Sequence, residues 1–279
     1  MYRHIPRGID ARRKFPAATG NERDLYRVDG LPGAIAQEFE SKFMHSVDTD
    51  AAGALHKLAA ADDSPWDDKM RSAWTRFILS LRYRNPEVVH TLKREMIDIW
   101  KAAVDNLNND YDKCRGAMDP PTFETFMART ERESPNKAAL KRLYNMIDNP
   151  RIGSAIFKMH WSRVPLAASN ISLLTSDRPL DWPDGLASIE AYIALPIGPK
   201  TLFVAGRDDR WAKRIAAADP TEMVKAVNQA IVHRARRFVW GLDNSQLRFV
   251  QNRMSKVPDR PLITDASRQQ ALNAALGIS

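Results

Sequence analysis

The spacing of apolar residues changes near residue 155, and this change restricts the chain to folds that combine helices with a sheet. In residues 34–60, apolar side chains recur every three or four positions, which is the period of an amphipathic helix. Two further stripes with this period follow, in residues 70–81 and 89–107. After residue 155 the apolar residues come in short runs between turn residues, a pattern that predicts strands.

Proline marks the limits of several predicted helices. Residues 63–65, Asp-Ser-Pro, provide a cap and a first helical residue for the second helix. Asn85–Pro86 separates the second helix from the third, because a residue before proline disfavours the helical conformation. Residues 119–126 are predicted to form a connector. A short helix is predicted to begin at Ser134–Pro135 and to end at Asn149–Pro150.

The second half contains five predicted strands, at residues 160–167, 171–176, 189–196, 201–205 and 236–242. Several of their connections are too short for a crossover helix, so the predicted sheet is mainly antiparallel. A helix begins after Asp219, with Asp219 as its cap, Pro220 as its first residue and Glu222 in a capping-box position. A final helix covers residues 245–255.

These elements predict an α+β fold. A helical N-terminal half, residues 1–155, packs on a smaller, mainly antiparallel sheet with flanking helices, residues 156–279. Helical stripes of this length need an apolar surface to bury against, and the sheet provides it. We therefore expect one intertwined unit more than two independent domains.

The net charge of +8 is concentrated in two windows. Residues 1–14 hold five Lys or Arg and one acidic residue, and residues 206–260 hold twelve Lys or Arg and six acidic residues. If both windows lie on one side of the protein, they form a surface that attracts anions, and nucleic acid or a phosphorylated ligand is the expected partner. The alternative is a basic protein whose charge only favours solubility.

Several classes of protein are excluded or disfavoured. The single cysteine, Cys114, excludes an intramolecular disulfide and a cysteine-rich zinc site. The chain lacks the phosphate loop of Walker type, the dinucleotide fingerprint and the nucleophile elbow. Its six histidines have no local metal-ligand spacing, although a divalent metal held by distant residues stays open. Without a signal peptide or a long apolar run, we expect a cytoplasmic protein that does not enter a membrane.

The sequence Thr-Ser-Asp-Arg-Pro at residues 175–179 ends an apolar run and is the first candidate site. A carboxylate at a strand end is held rigidly and reaches solvent, so Asp177 is a candidate general base or metal ligand, with Ser176 and Arg178 as candidate binding residues. The alternative is a structural turn, because Asp and Ser bond readily to nearby backbone amides.

Other candidate residues lie outside that turn. Arg84, near the end of the second helix, is a candidate clamp for a carboxylate or phosphate, or a cation that stabilises the helix C-terminus. His4 is a candidate acid or base in a terminal segment that is otherwise expected to be loose. Arg234, Arg236 and Arg237 are candidate phosphate contacts beside aromatic residues, or the end of a helix before a buried strand.

Six short motifs, taken in order, resemble an uncharacterised bacterial family, domain-of-unknown-function family 4238. They are "HIPRGIDARRKF", "NERDLYRVDG", Arg84-Asn85-Pro86, "LLTSDRPL", "IALPIGPKTLFVA" and "NQAIVHRARRFVWG". The histidine of the first motif is displaced, because His4 stands one position nearer the proline than in the family pattern. The resemblance implies no activity, but it strengthens Asp177 as a site residue.

Three hypotheses follow. The first is a protein that binds nucleic acid or another phosphate-rich ligand, with Arg84, Asp177 and His4 in one cleft between the helices and the sheet. The second is a phosphoryl-ester hydrolase or nuclease in which Asp177 is a metal ligand or general base and Arg84 stabilises negative charge. The third is a non-catalytic protein-interaction module.

Overall fold

The computed structural model of the protein describes residues 1–6, 8–14, 19, 25–26, 39–129, 135–183 and 185–255. Predictions for residues 34–38, for Ser134, for most of residues 21–30 and for the tail after Pro258 lie outside these ranges. In the described ranges, helices and two small antiparallel sheets form an α+β fold, which confirms the predicted class.

The helices are a π-helix at Phe39–Met44, α1 at His45–Ala59, α2 at Asp68–Tyr83, α3 at Pro86–Cys114, α4 at Phe123–Arg129, α5 at Pro135–Ile147, α6 at Pro150–Phe157, α7 at Arg210–Ala217, α8 at Pro220–Arg234 and α9 at Leu247–Arg253. The strands are β1 at Tyr2–Ile5, β2 at Gly8–Ala11, β3 at His160–Pro165, β4 at Thr175–Ser176, β5 at Tyr192–Gly198, β6 at Thr201–Gly206 and β7 at Phe238–Trp240. Across the described ranges, no helix is long and apolar enough to cross a bilayer.

The strands form two antiparallel sheets, which agrees with the predicted strand direction. Sheet A has four strands in the order β2-β1-β7-β4, and sheet B has three strands in the order β3-β6-β5. Sheet A therefore joins the first residues of the chain to a strand that begins at residue 238.

Sheet B is buried on both faces of its central strand, β6. Leu202 and Val204 belong to an apolar cluster with residues of α8, including Val227 and Ile231. Phe203 points the other way, because successive side chains alternate along a strand. Its ring lies edge-on to that of Trp74 in α2, with 5.6 Å between the ring centroids.

Sheet A packs one face on α8 and α9. Tyr2 of β1 and Val239 of β7 lie in a cluster with Val232 of α8 and Val250 of α9. Gly241 follows β7 where a side chain would not fit, because an added Cβ would lie 2.7 Å from a methyl carbon of Leu174. This close approach keeps the end of the sheet tight against the helices below it.

By its contacts, the chain divides into two compact units. The described residues within 1–23, 41–85 and 146–255 form the first unit, which holds both sheets. The described residues of the second unit lie within 24–40 and 86–145, and they include α3, α4 and most of α5. In this unit, Tyr111 donates its hydroxyl hydrogen to the Pro120 carbonyl at 2.8 Å and packs on the rings of Phe123 and Phe126. The predicted division at residue 155 stays a prediction.

Several helix limits confirm the predictions. Pro86 begins α3, Pro135 begins α5, and α8 begins at Pro220 behind the predicted cap, since Asp219 accepts hydrogen bonds from the Thr221 and Glu222 amides. The second helix begins later than predicted. Asp67 caps it by accepting a hydrogen bond from the Met70 amide at 2.6 Å, so Pro65 precedes the helix.

Other predictions were wrong. The predicted connector at residues 119–126 contains the start of α4, and α6 and α7 were not predicted. The predicted strand at 171–176 is reduced to β4, because the Leu173 and Leu174 amides bond to the Pro199 carbonyl and the Asn228 side chain. The N-terminal hairpin of β1 and β2 was also missed, since four-residue strands give too short an alternation to recognise.

Candidate nucleic-acid interface

The N-terminal hairpin brings one basic window of the sequence beside the other. In the β1–β7 pair, Tyr2 lies opposite Val239 and Arg3 lies opposite Phe238. The His4 amide also donates to the Arg237 carbonyl at 2.9 Å. The first window is therefore fixed along the part of the second that contains Arg237, although the two are more than 220 residues apart in sequence.

Sheet A turns its second face outward, and arginine and aromatic side chains share it. Residues opposite each other on neighbouring strands point the same way, so Arg3 lies beside Phe238, and Trp240 follows two positions later on the same face. Arg3 is exposed, and both rings are partly exposed. We call Arg3, Arg12, Arg237, Phe238 and Trp240 the aromatic-basic face.

The two rings of the aromatic-basic face stack on each other. The centroids of Phe238 and Trp240 are 5.6 Å apart, and their planes differ by 27°. The Trp240 indole nitrogen donates to the Thr19 hydroxyl at 3.0 Å, which fixes the orientation of this ring. Phe238 and Trp240 thus form one stacked aromatic pair on β7.

Guanidinium groups surround the Phe238 ring. The Cζ atom of Arg3 lies 6.0 Å from the ring centroid and that of Arg237 lies 5.6 Å from it, both within the range of cation–π attraction. Arg12, on β2's side of the hairpin, lies 2.7 Å from a carboxylate oxygen of Asp10 and is largely exposed. The aromatic-basic face therefore presents positive charge and ring surface together.

Asp177 lies at the edge of sheet A, where it binds backbone amides. One carboxylate oxygen accepts from the Arg236 amide at 3.0 Å, and the other accepts from the Arg237 amide at 2.6 Å and the Phe238 amide at 3.3 Å. Its own amide donates to the Phe238 carbonyl at 3.1 Å. The carboxylate thus shapes the chain that leads into β7. The predicted role of Asp177 as a general base or metal ligand stays a prediction.

Ser176 and Arg178, on either side of Asp177, form a structural turn, which was the alternative interpretation of residues 175–179. Ser176 is buried, and its hydroxyl accepts from the Arg178 amide at 3.0 Å. This serine-turn geometry satisfies an amide that would otherwise be left without a partner where the strand ends. The predicted binding part of Ser176 and Arg178 stays a prediction.

Arg234 differs from Arg236 and Arg237 because its guanidinium contacts a buried carboxylate. Its guanidinium donates to the Asp181 carboxylate at 2.6 Å, and Asp181 is buried with its second oxygen accepting from the Tyr192 hydroxyl at 2.7 Å. This ion pair ties the end of α8 to the segment before β5. The positive charge of Arg234 is therefore paired with the carboxylate of Asp181, and its predicted role in phosphate binding stays a prediction.

Arg84 and His4 lie on different elements of the first unit. Arg84 caps the C-terminus of α2 and donates to the Asp48 carboxylate of α1 at 2.7 Å. His4 is exposed in β1, opposite Ile9 of β2. Arg84 contacts Asp48 of α1 and the Phe77 ring of α2, whereas Asp177 binds the amides of residues 236–238. A shared cleft stays a prediction.

The comparison with protein families agrees with the resemblance found in the sequence. The family described as protein of unknown function (DUF4238) matches residues 4–245. The chain belongs to this family. The match includes His4, Arg84 and Asp177, and it spans β7 and therefore most of the aromatic-basic face. No curated protein and no solved structure matches the chain.

In the part of this DUF4238 protein that the structure describes, no three His, Cys, Asp or Glu side chains lie close enough together to hold a metal ion.

Two ionisable groups, one on β1 and one on α8, have shifted pKa values. Burial raises the pKa of Tyr2, and burial together with the charge of Arg253 lowers the pKa of His233.

We did not predict from the sequence that Asp181 and Asn228 of the DUF4238 chain are buried polar residues with structural hydrogen bonds. Asn228 lies in α8. Its side chain accepts a hydrogen bond from the Leu174 amide at 2.8 Å and donates one to the Ser172 carbonyl at 2.9 Å. Asn228 stands four residues before Val232, so both side chains lie on the same face of the helix, and this face is otherwise apolar. A polar residue in an apolar stripe was the sequence signal for a buried polar side chain.

Proposed function

We propose that this protein is a cytoplasmic bacterial protein that binds nucleic acid through the aromatic-basic face. The pairing of β1 with β7 carries the proposal, because it brings Arg3 beside Arg237 and two aromatic rings. Net positive charge alone is common, but charge gathered on one sheet face beside π surface is typical of proteins that contact nucleic-acid backbones and bases.

The use of the other arginines supports this choice of surface. Arg234 is held by the buried Asp181, and Arg214 of α7 pairs with Glu190, so their charges are compensated within the protein. Arg3 and Arg237 instead lie against the ring of Phe238, so they place positive charge beside π surface. This combination favours the aromatic-basic face over the other arginine sites as a contact for nucleic acid.

The test is the binding of a fluorescent oligonucleotide of about 20 nucleotides, followed by anisotropy at several salt concentrations. The variant Arg3→Ala/Arg12→Ala/Arg237→Ala removes three charges from the aromatic-basic face. The matched control Arg210→Ala/Lys213→Ala/Arg214→Ala removes three charges from α7. We expect the first variant to bind at least tenfold more weakly, with a log–log salt slope smaller by about 2–3.

Two results contradict the proposal. Wild-type protein that binds no oligonucleotide even at low salt does not have this function. Equal weakening by both triple variants means that net charge, and not the aromatic-basic face, determines binding. Circular dichroism and thermal unfolding of each variant establish that the fold is retained before binding is compared.

A further inference from the structure

We infer that the nucleic acid bound by the aromatic-basic face is single-stranded, with bases stacked on the aromatic pair of Phe238 and Trp240. This inference rests on the proposed function and specifies its substrate class. A duplex hides the faces of its bases within the stack, so an aromatic ring on a protein surface reaches them only in an unpaired strand. A stacked pair of partly exposed rings is the observation that points to unpaired bases.

The spacing of the rings fits this use. Phe238 and Trp240 are two positions apart on one strand, which separates their Cα atoms by about 6.5 Å, and their ring centroids lie 5.6 Å apart. Their planes differ by 27° and the two rings stack on each other, so an unpaired base that stacks on the exposed surface of the pair extends this stack. Stacking on the pair requires no particular base, because every base has a π face.

The charged groups lie where the backbone of such a strand would pass. Arg3 approaches the Phe238 ring from β1, and Arg237 approaches it from the residue before β7. Both guanidiniums remain exposed while they contact the ring. A planar guanidinium contacts a phosphate through its N–H edge and a base through its face. Each of these arginines is therefore able to bind either a phosphate or a base of the strand.

The rigidity of β7 favours stacking. Val239, between the two aromatic residues, is fully buried against the helices, and the three amides from Arg236 to Phe238 are held by the Asp177 carboxylate. The rings are therefore presented by a strand that is fixed from below and at its start. Less conformational freedom is lost on binding than with rings on a mobile loop.

The experiment compares three probes on the full chain: a 20-nucleotide oligo(dT), a 20-base-pair duplex of mixed sequence, and heparin. The variant Phe238→Leu/Trp240→Leu removes both π surfaces and retains apolar volume and charge. Phe249→Leu on α9 is the matched control, since Arg253 lies 4.6 Å from that ring in a similar arginine–aromatic pair on another element. Phe238→Tyr/Trp240→Phe retains two rings and tests whether aromatic character is what matters.

We expect the leucine double variant to bind oligo(dT) roughly ten- to a hundredfold more weakly than the wild type, with duplex and heparin binding unchanged. The Tyr/Phe variant and the Phe249→Leu control should bind oligo(dT) within about threefold of the wild type. Unchanged oligo(dT) binding by the leucine variant overturns the inference and leaves the proposed function standing. Equal loss with all three probes also overturns it, since the effect is then one of fold or charge. Failure of the wild type to bind any probe overturns the proposed function itself.

Discussion

The two sheets of the protein use aromatic residues in opposite ways. In sheet B, Phe203 is fully buried in the central strand and meets the rings of Trp74 and Trp161. In sheet A, Phe238 is partly exposed and meets the guanidiniums of Arg3 and Arg237. Sheet B is enclosed by helices on both faces of β6, whereas the apolar cluster of sheet A, among the described residues, lies on its Tyr2–Val239 face against α8 and α9.

This difference separates a structural sheet from a candidate binding sheet. A ring enclosed on all sides contributes packing and excludes water, so its removal affects the free energy of unfolding. A ring at the surface contributes little to that free energy and is available to a ligand. The contrast is therefore measurable, because stability and binding should respond to different residues.

Matched substitutions of the two phenylalanines should give the largest effect. We expect Phe203→Ala to lower the free energy of unfolding by about 3–5 kcal/mol, because it leaves a cavity beside Trp74. Phe238→Ala should lower it by less than about 1 kcal/mol while weakening binding to oligo(dT). Urea unfolding followed by far-ultraviolet circular dichroism measures both. Similar losses of stability would remove the distinction between the sheets.

The buried ion pair beside sheet A should give the next largest effect. Asp181→Ala leaves the Arg234 guanidinium and the Tyr192 hydroxyl without their shared acceptor. We expect a loss of about 2–3 kcal/mol, below the value for a fully buried pair because the Arg234 side chain is 27% exposed. The exposed pair of Arg214 and Glu190 is the control, and Arg214→Ala should cost less than about 1 kcal/mol. Equal costs would show that burial of Asp181 is unimportant.

Asp177 tests whether the edge of sheet A is structural or catalytic. Asp177→Asn keeps the shape but replaces one accepting oxygen by an amide donor, so at least one of the three backbone N–H groups loses its partner. We expect a loss of about 1–2 kcal/mol in the free energy of unfolding, measured by urea titration. Unchanged stability combined with loss of a divalent-metal-dependent phosphodiesterase activity would instead favour the hydrolase hypothesis.

The sequence predicted those parts of the fold that rest on long periodic patterns or strong caps. Asp219 with Pro220 and the Asn85–Pro86 break are local signals, and the structure confirms both. Sheet A could not be predicted in the same way. Its strands are two to four residues long, and their pairing joins residue 3 to residue 238 through contacts that no local pattern encodes.

The candidate site was predicted in pieces for the same reason. The basic windows and the arginine–aromatic segment were recognised from composition, but their juxtaposition depends on the β1–β7 pair. In the amino-acid sequence, the arginines at 234, 236 and 237 cannot be told apart by their local context. They differ in the fold because Arg234 lies on the last turn of α8 near the buried Asp181, whereas Arg237 follows the helix and is exposed.

The smallest effect concerns His233, which lies in the last turn of α8 and is partly buried. Burial lowers its pKa below the usual 6.5, and the charge of Arg253 on α9 lowers it further. Below pH 6.5 the unfolded chain therefore binds more protons at this residue than the folded chain does, so stability should fall as the pH decreases from 7.5 towards the folded-state pKa.

His233→Gln removes that linkage and should make the melting temperature less dependent on pH between 7.5 and 5.5 by roughly a degree or two, measured by differential scanning calorimetry. Arg253→Gln removes only the second cause, so it should retain most of the wild-type pH dependence. A wild-type pH dependence that persists in His233→Gln would assign it to other groups.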